Sequence, residues 1–354
     1  MSETSILVTG GAGFIGCALA ERWASRADRW VVLDNLHPQV HADQRRPDAL
    51  VDSAELIVGD VTDPGAWDSL LSGFRPDIVI HLAAETGTAQ SLSEATRHAE
   101  VNVVGTAAML DAFSRHEHVP AHTVLSSSRA VYGEGDWRRS DGTVFSPGQR
   151  PHAQFTSAQW DFPDAVALPS AAATTVPAPT SIYGATKLAQ EHMLAAWAGA
   201  HDAGVTVLRL QNVYGPGQSL TNSYTGIVSL FSQLARRGES IPLYEDGDIV
   251  RDFVLIDDVA DAFVAVLDRG PRGSSGPFDV GTGQATTIAD LAAAIADFHG
   301  APAPHVTGQF RDGDVRYASC DIAPTLAALD WTPRYSLEEG VARLQQWIEK
   351  VDPR

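Results

Sequence analysis

The stretch SILVTGGAGFIG at residues 5–16 decides the fold. Its first half is a short apolar run, which predicts a buried strand. Its second half places glycines at positions 10, 13 and 16, which fits GxxGxxG and, read from Gly11, also fits GxGxxG. Glycines there let the backbone turn tightly and approach a pyrophosphate, whose charge is met by free N–H groups of the following helix. The pattern alone is weak, but its place between a strand and a helix predicts a dinucleotide-binding unit.

Short apolar strands go on alternating with amphipathic helices up to residue 212. The strands are WVVLD, ELIVGD, DIVIHLAA, HTVLSSS and VTVLRLQN, and helices are expected near Trp67, from Glu94 to Phe113 and from Tyr183 to His201. Such alternation predicts an α/β fold, a Rossmann doubly wound parallel sheet with helices on both faces. We assign residues 1–212 to this dinucleotide-binding domain.

Residues 213–354 lose that regularity and read as a smaller mixed α/β lobe that binds the substrate. Helices are expected near residues 225–237, 286–298 and 337–349. Part of the segment 250–270 is expected to return to the first domain.

A long loop at residues 134–180 interrupts the first domain. It is rich in Ser, Pro, Ala and Gly and carries four aromatic residues, Trp137, Phe155, Trp160 and Phe162. Loops of this length are usually functional or disordered. The aromatic residues favour partial order against a ligand or the second lobe, although the tract AVALPSAAATTVPAPT could equally be a mobile linker.

Composition narrows the possible partners. The formal net charge of −19 over 354 residues argues against nucleic acid, which is bound chiefly through Lys and Arg. An anionic small ligand would therefore need local arginines. No apolar run reaches the roughly 18 residues of a membrane span, and no basic signal region precedes the first strand, so we expect no membrane partner and a cytoplasmic location. Two cysteines, Cys17 and Cys320, provide neither a disulfide framework nor a metal site.

Asp34 identifies the dinucleotide. It ends the strand WVVLD, 18 residues after Gly16. A carboxylate there accepts hydrogen bonds from both ribose hydroxyls and would repel a 2′-phosphate, which favours NAD over NADP. Two later strand ends fit the same edge of the sheet, with Asp60 placed to meet the adenine and with Ala83 and Ala84 leaving room for the cofactor.

The stretch SIYGATKLAQE at residues 181–191 carries the chemistry. Lys187 is one of only two lysines in the chain, and it follows Tyr183 by four residues, which places both side chains on one helix face. A tyrosine with an ordinary pKa of about 10 is a poor base, so its phenolate needs a stabilising charge, which the Lys187 ammonium supplies. A hydroxyl near the substrate oxygen would come from Ser126, Ser127 or Ser128. His81 also ends a strand, but a buried core histidine is the more common outcome.

Together these motifs resemble the extended short-chain dehydrogenase/reductase family, the nucleotide-sugar epimerases and dehydratases. The resemblance rests on GGAGFIG, Asp34, HLAAE, SSSRAVYG, YGATK, LRLQNVYGPGQ and RDFVLIDD, in this order. It implies that Tyr183 is the base, Lys187 its partner and Ser128 the hydroxyl. Asn102 matches the family's helix asparagine, although it could be an ordinary polar helix residue. The expected cofactor-binding residues are Gly10, Gly13, Phe14, Ile15, Gly16, Asp34, Asn35, Asp60, Val61, Leu82, Ala83, Ala84, Asn102, Ser126, Tyr183 and Lys187.

The family's 4,6-dehydratases carry an Asp-Glu pair where this chain has Arg129 and Ala130, and neither replacement can act as a general acid or base near neutrality. That favours a 4-epimerase, which oxidises and re-reduces one carbon. A ketoreductase would use the same three residues, and the preference of Asp34 for NAD favours the epimerase. A non-catalytic NAD-sensing protein is the other alternative, against which the complete Ser, Tyr and Lys set argues.

The resemblance also places the substrate, a nucleotide sugar. It implies that Asn212, Arg251 and Arg316 contact the diphosphate, and that the sugar pocket is lined by Glu85, Thr86, Thr88, Ser128 and Arg129. Glu85 could instead merely cap a loop. Longer stretches of the sequence, including HLAAETGTAQSL and WDFP, are similar to the branch of the family that converts dTDP-L-rhamnose to dTDP-6-deoxy-L-talose. UDP-hexoses are the alternative substrates. The family usually forms homodimers, for which Leu188, Met193, Met109 and Leu110 provide apolar positions that core packing would explain equally well.

Overall fold

The computed structural model describes residues 4–41, 43–220, 226–270 and 276–353. Seven parallel strands form its central sheet. They are β1 (Ser5–Thr9), β2 (Arg29–Asp34), β3 (Ala54–Val58), β4 (Ile78–His81), β5 (His122–Ser128), β6 (Gly204–Leu210) and β7 (Gly276–Val280). Their order in the sheet is β7-β6-β5-β4-β1-β2-β3. The doubly wound Rossmann prediction is therefore confirmed.

The helices are α1 (Phe14–Trp23), α2 (Pro64–Gly73), α3 (Thr88–Ser93), α4 (Ala95–Ala99), α5 (Gly105–Arg115), α6 (His152–Thr156), α7 (Ile182–His201), α8 (Ile227–Arg236), α9 (Ile256–Leu267), α10 (Ile288–His299), α11 (Ala323–Leu329) and α12 (Leu337–Val351). The helix expected from Glu94 to Phe113 is present, with a π-helical segment at Glu100–Val104 between α4 and α5. Each of the three helices expected after residue 213 is found, although position 225 lies outside the described residues.

Apolar side chains cover both faces of the sheet because its strands alternate between two cores. Ile6 and Val8 of β1 pack toward α1 and α9, whereas Leu7 packs toward α2, α5 and α7. A third core, with Phe231, Leu291 and Leu344 at its centre, lies within the C-terminal lobe. In the described part of the chain, no helix combines the length and the apolar character that a membrane span needs.

The chain passes back and forth between the two lobes. After leaving β6 it enters the C-terminal lobe, but α9 then packs beside α1 in the core of the sheet. Strand β7 was not expected; it pairs with β6, with Phe278 opposite Leu208, and becomes the edge of the sheet. Trp331 also contributes to the first core. A single boundary at residue 212 therefore does not describe how the two lobes share the chain.

The 134–180 segment is ordered rather than a linker. Its strand Trp137–Arg139 pairs antiparallel with Val144–Phe145 and Ala165–Ala167. The Ser-, Ala- and Pro-rich end is fixed to the body of the protein, because the Ala172 N–H donates to an Asp279 carboxylate oxygen at 2.7 Å. The order suggested by the four aromatic residues is therefore observed, and α6 of this segment lies against the C-terminal lobe through the stacked rings of Phe155 and Phe310.

Candidate active site

A cavity of about 1050 Å³ opens between the carboxyl ends of the parallel strands and the C-terminal lobe. This is the edge where ligands bind in open α/β sheets, because the strand ends and helix N-termini converge there. The structure brings most of the expected residues to the cavity wall. These are Gly10, Gly13, Phe14, Ile15, Gly16, Asp34, Asn35, Val61, Leu82, Ala83, Ala84, Glu85, Thr86, Thr88, Ser126, Ser128, Arg129, Tyr183, Lys187, Asn212 and Arg251. Asp60, Asn102 and Arg316 do not line it.

The glycine turn leaves no room for side chains. Gly10 has a φ of 68°, and a Cβ added there would lie 2.7 Å from the Cα of Ala83. A Cβ on Gly16 would lie 2.4 Å from the carbonyl oxygen of Gly11. Gly13 is the N-cap of α1 and has no side chain to cap the first turn, so the helix N-terminus faces the cavity with its N–H groups open to an anion. This cradle fits the pyrophosphate of a dinucleotide.

Asp34 stands at the end of β2 beside this cradle. Its side chain is held by two backbone donors, with the Ala12 N–H at 3.0 Å and the Leu36 N–H at 2.9 Å. A carboxylate has about four acceptor positions, so two remain for ribose hydroxyls. Asp60, expected at the adenine, lies outside the cavity wall. It accepts hydrogen bonds from Thr62 and Asn35, which lower its pKa against the opposing effect of partial burial. Asp60 therefore positions Asn35, which does line the cavity.

Tyr183 and Lys187 lie in the first turns of α7. Ser181 caps the start of this helix by accepting a hydrogen bond from the Gly184 N–H at 3.0 Å. Tyr183 and Lys187 lie four residues apart, on one face of the helix, and both line the cavity. Burial raises the pKa of Tyr183, while a hydrogen bond with Ser128 and the charge of Arg129 lower it. The Ser128 hydroxyl and the Tyr183 phenol line the same cavity, where Ser128 is near enough to act on the pKa of the phenol.

Lys187 differs from the sequence expectation in its electrostatics. Its side chain is 2% exposed, and burial lowers its pKa to about 7, against the opposing charge of Glu191. Lys187 is not among the groups that lower the pKa of Tyr183 in the protein alone; Ser128 and Arg129 are. Within the described residues no hydrogen bond or ion pair is found for the Lys187 ammonium, which leaves its donors available to the cofactor's ribose.

A buried polar network lies behind Lys187, and the sequence reading missed it. Glu191, one helical turn after Lys187, accepts hydrogen bonds from Ser127 and from Arg209 of β6, the latter at 2.7 Å. Arg209 also donates to the Tyr132 phenol at 3.0 Å, and Tyr132 donates to Asp279 at 2.8 Å. The only sequence signal was the spacing of Tyr183, Lys187 and Glu191 at steps of four, which continues one helix face.

His81 is a core residue, as the sequence favoured. It is fully buried and hydrogen-bonded to the hydroxyls of Thr9, at 2.7 Å, and Thr106, at 2.9 Å. Burial, and then the charge of Lys187, lower its pKa to about 3, so the ring is neutral at physiological pH. The two cysteines are buried and free, and burial raises the pKa of Cys17 to about 12. No group of three metal-ligating side chains occurs among the residues that the structure describes.

Glu85 is fixed from two sides. Asn102, in the π-helical segment, accepts from the Glu85 N–H at 2.8 Å and donates to the Glu85 carbonyl at 3.0 Å. Asn102 also donates to Thr186 of α7, so it joins the sugar side to the helix of Tyr183 without lining the cavity itself. The Glu85 carboxylate pairs with Arg97 at 2.8 Å. This ion pair orients one carboxylate oxygen of Glu85, so the side chain does more than cap a loop.

Two arginines, Arg129 and Arg251, line the cavity. Arg129 donates through Nε to Asn212 at 2.8 Å, which leaves its two Nη groups for other partners. Arg251 contacts the Asp314 carboxylate at 3.2 Å. Burial and the nearby charge of Arg251 lower the pKa of Arg129 to about 9. An anion such as a diphosphate would reduce the repulsion between these two neighbouring guanidiniums.

Arg316 does not fit its expected role at the diphosphate. Its guanidinium bonds to the carboxylates of Asp246, Asp161 and Glu245, the Asp246 contacts being 2.6 and 2.8 Å, and it does not line the cavity. Three carboxylates already satisfy its charge. Arg311, five residues earlier, lines the cavity instead, and its guanidinium lies 4.9 Å from the centre of the Tyr244 ring.

Comparisons with known proteins identify the family of the chain. Residues 6–281 match the model of the NAD dependent epimerase/dehydratase family. A dTDP-L-rhamnose 4-epimerase of Burkholderia thailandensis is 64% identical over 343 residues, which cover 97% of this chain and 94% of that protein.

Two solved structures are similar over nearly the full length. The crystal structure of UDP-glucose 4-epimerase from Thermotoga maritima, with UDP-glucose, has a TM-score of 0.81 and 29% identity, and the match covers 98% of this chain and 99% of that one. UDP-glucose 4-epimerase from Thermus thermophilus, in complex with NAD, has a TM-score of 0.77 and 27% identity, and this match also covers 98% of this chain and 99% of that one. On its fold, its glycine cradle and these similarities, the chain belongs to the NAD-dependent epimerase/dehydratase family.

Proposed function

We propose that this protein is an NAD-dependent nucleotide-sugar 4-epimerase that converts dTDP-L-rhamnose to dTDP-6-deoxy-L-talose. The observation that carries the proposal is that Tyr183, Ser128 and the glycine cradle line one cavity. The substrate is inferred from the relative at 64% identity, whose coverage of both chains is nearly complete.

The residues around the cradle would hold NAD. The open N-terminus of α1 fits its pyrophosphate, Asp34 its adenine ribose, and Lys187 its second ribose. NAD supplies hydride chemistry when bound: it takes a hydride from the C4 carbon of the sugar and gives it back. Hydrogen-bond acceptors on the cofactor would favour the charged form of Lys187 and so raise its pKa from about 7.

Tyr183 moves the proton in this scheme. Its phenolate takes the proton of the C4 hydroxyl and later returns it to the same oxygen, while Ser128 holds that oxygen by a hydrogen bond. The Arg129 charge favours the phenolate. The return of hydride to the other face requires that the 4-keto sugar turn within the site.

Two observations distinguish this reaction from its neighbours in the family. Arg129 and Ala130 follow Ser128 in the cavity wall, so no acid and base stand there for the elimination of water. Asp34 favours NAD, which an epimerase regenerates in each cycle and need not release. A reductase of 4-keto sugars remains the second candidate, because it would use the same Ser128, Tyr183 and Lys187.

The test is incubation of the purified protein with dTDP-L-rhamnose, without added cofactor, followed by proton NMR. We expect inversion at C4 to an equilibrium mixture of the two sugars, and a slower or absent reaction with UDP-glucose. The proposal is wrong if neither sugar nucleotide reacts while NADH or NADPH is consumed with a dTDP-4-keto-6-deoxy sugar, which would identify a reductase.

We further infer that the enzyme works in the cytoplasm and forms a homodimer, the latter because the family that it resembles usually pairs through the helices that correspond to α5 and α7. Met109 and Leu110 are buried in the core of the chain, so they are not available for such a contact. Leu188 and Met193 are half-buried, and Val104 of the same region is 52% exposed. Size-exclusion chromatography with light scattering measures the mass of the protein in solution. The mass of a dimer is expected, and the mass of a single chain would refute the inference.

A further inference from the structure

The 134–180 segment takes no part in the proposed mechanism, yet it inserts a fully buried arginine between the two lobes. The Arg150 guanidinium donates to both carboxylate oxygens of Glu245, at 2.9 Å each. It also contacts Glu134 at 3.3 Å and donates to the carbonyl oxygens of Trp160 and Asp314, both at 2.9 Å. All the Arg150 nitrogens are therefore engaged, by partners from the segment itself and from the C-terminal lobe.

The Asp314 carbonyl connects this arginine to the wall of the cavity. Residues Arg311, Asp312, Gly313 and Asp314 all line the cavity. Arg251, which also lines it, donates to the next carbonyl, that of Val315, at 2.8 Å and to the Asp314 carboxylate at 3.2 Å. Two arginines thus hold successive carbonyls of one chain segment, with Arg251 facing the ligand space and Arg150 in the protein interior.

The start of the same chain segment is also held by the 134–180 segment. The rings of Phe155 and Phe310 stack with their centres 5.3 Å apart, and Trp160 lies 6.4 Å from Phe310. The Arg150 guanidinium lies over the other aromatic partner, 4.4 Å from the centre of the Phe155 ring. Phe310 directly precedes Arg311 in the chain, so Arg150 and its stacked aromatic neighbours fix both ends of the wall segment.

We propose that Arg150 is a positioning residue for nucleotide-sugar binding: by fixing the wall segment 310–315 it places the Arg251 and Arg311 guanidiniums where they receive an anionic diphosphate. The class of the ligand, a nucleotide sugar, rests on the proposed function. A buried ion pair of this kind contributes little net stability compared with well-packed apolar residues, so a geometric role accounts better for its cost. Burial raises the pKa of Glu134 to about 7, and the charge of Arg150 opposes this rise.

Arg150→Lys tests the proposal, because it keeps a buried positive charge but cannot make the planar double contact with Glu245. Titration calorimetry with thymidine diphosphate should show a Kd at least tenfold higher than in the unchanged protein. The KM for dTDP-L-rhamnose should rise to a similar extent, with kcat and the content of bound NAD within about twofold. Arg139→Lys is the matched control, since Arg139 is an exposed arginine of the same segment and stacks on Phe145. Its Kd should not change.

Phe310→Leu provides a second variant if Arg150→Lys fails to fold, because it loosens the same wall segment without leaving a charge unpaired. It too should raise the Kd for thymidine diphosphate and spare NAD binding. Unchanged thymidine diphosphate affinity in the folded variants would overturn the proposal, as would an equal loss of NAD and nucleotide binding. Calorimetry needs no turnover, so these results stand even if dTDP-L-rhamnose is not the substrate. If the unchanged protein binds neither thymidine nor uridine diphosphate, the proposal fails together with its ligand.

Discussion

Replacing Lys187 by methionine should abolish catalysis and at the same time stabilise the cofactor-free protein. The side chain is 2% exposed, and burial lowers the pKa of its amine to about 7 from the ordinary 10.5. An unfolded chain therefore holds a proton on this amine across a pH range in which the folded chain has released it. Folding costs free energy in that range, and methionine keeps the aliphatic bulk without the charge.

The sign and size of the effect follow from these two values. Between pH 7 and pH 10.5 the unfolded state binds more protons, so the stability of the unchanged protein rises with pH. The cost of the buried amine is about 4 kcal/mol at pH 7 and falls to about 2 kcal/mol at pH 9. These are upper limits, because the protein relaxes around the charge. For a chain of 354 residues they correspond to about 5 °C in Tm at pH 7 and about half of that at pH 9.

The assay is calorimetric melting of cofactor-free protein at several pH values between 7 and 9. Lys187→Met should melt above the unchanged protein at pH 7, and the gap should narrow toward pH 9. Lys350→Met is the control, since it removes the only other lysine, which is exposed on α12, and its Tm should be the same within about 1 °C. A Lys187→Met protein that melts lower at pH 7, or a gap that does not change with pH, would refute the reasoning.

Three further substitutions test the site. Tyr183→Phe should abolish epimerisation while NAD stays bound, and measurable turnover would show that another group is the base. Arg129→Leu removes a charge that lowers the pKa of Tyr183, so the rise of kcat with pH should move to higher pH; an unmoved profile would exclude this coupling. Gly16→Ala should lower the NAD content of the purified protein at least tenfold, because its Cβ would lie 2.4 Å from the Gly11 carbonyl oxygen, and full occupancy would contradict the close packing.

The fold was predictable where strands are apolar and local. The six strands of the central sheet that precede residue 212 are short apolar runs, and their periodicity was sufficient to place them. Strand β7 has the sequence GPFDV, with a proline, a glycine and an aspartate, and only its edge position beside β6 makes it a strand. Its Asp279 is buried because Tyr132 and Ala172, both distant in sequence, donate to it.

In the site, too, the residues that neighbour one another on a helix could be predicted, and those that depend on distant partners could not. Tyr183 and Lys187 could be paired from sequence because a helix brings residues four apart together. Arg311 and Arg316 could not be told apart, since both lie in the short stretch FRDGDVR and only their partners differ. Arg316 meets Asp161 and Asp246, which come from separate parts of the chain, and Arg311 meets Tyr244 at the cavity. The low pKa of Lys187 likewise depends on burial that no local pattern reports.

The late strand β7 makes the two lobes inseparable. A fragment that ended before residue 276 would leave β6 as a bare edge, with its backbone groups unpaired and open to aggregation. The fragment would also lose Trp331 and part of α11 from the core beside α9. Synthesis on the ribosome must therefore be nearly complete before the sheet can close, and neither half of this chain should survive as a free-standing module for exchange between enzymes.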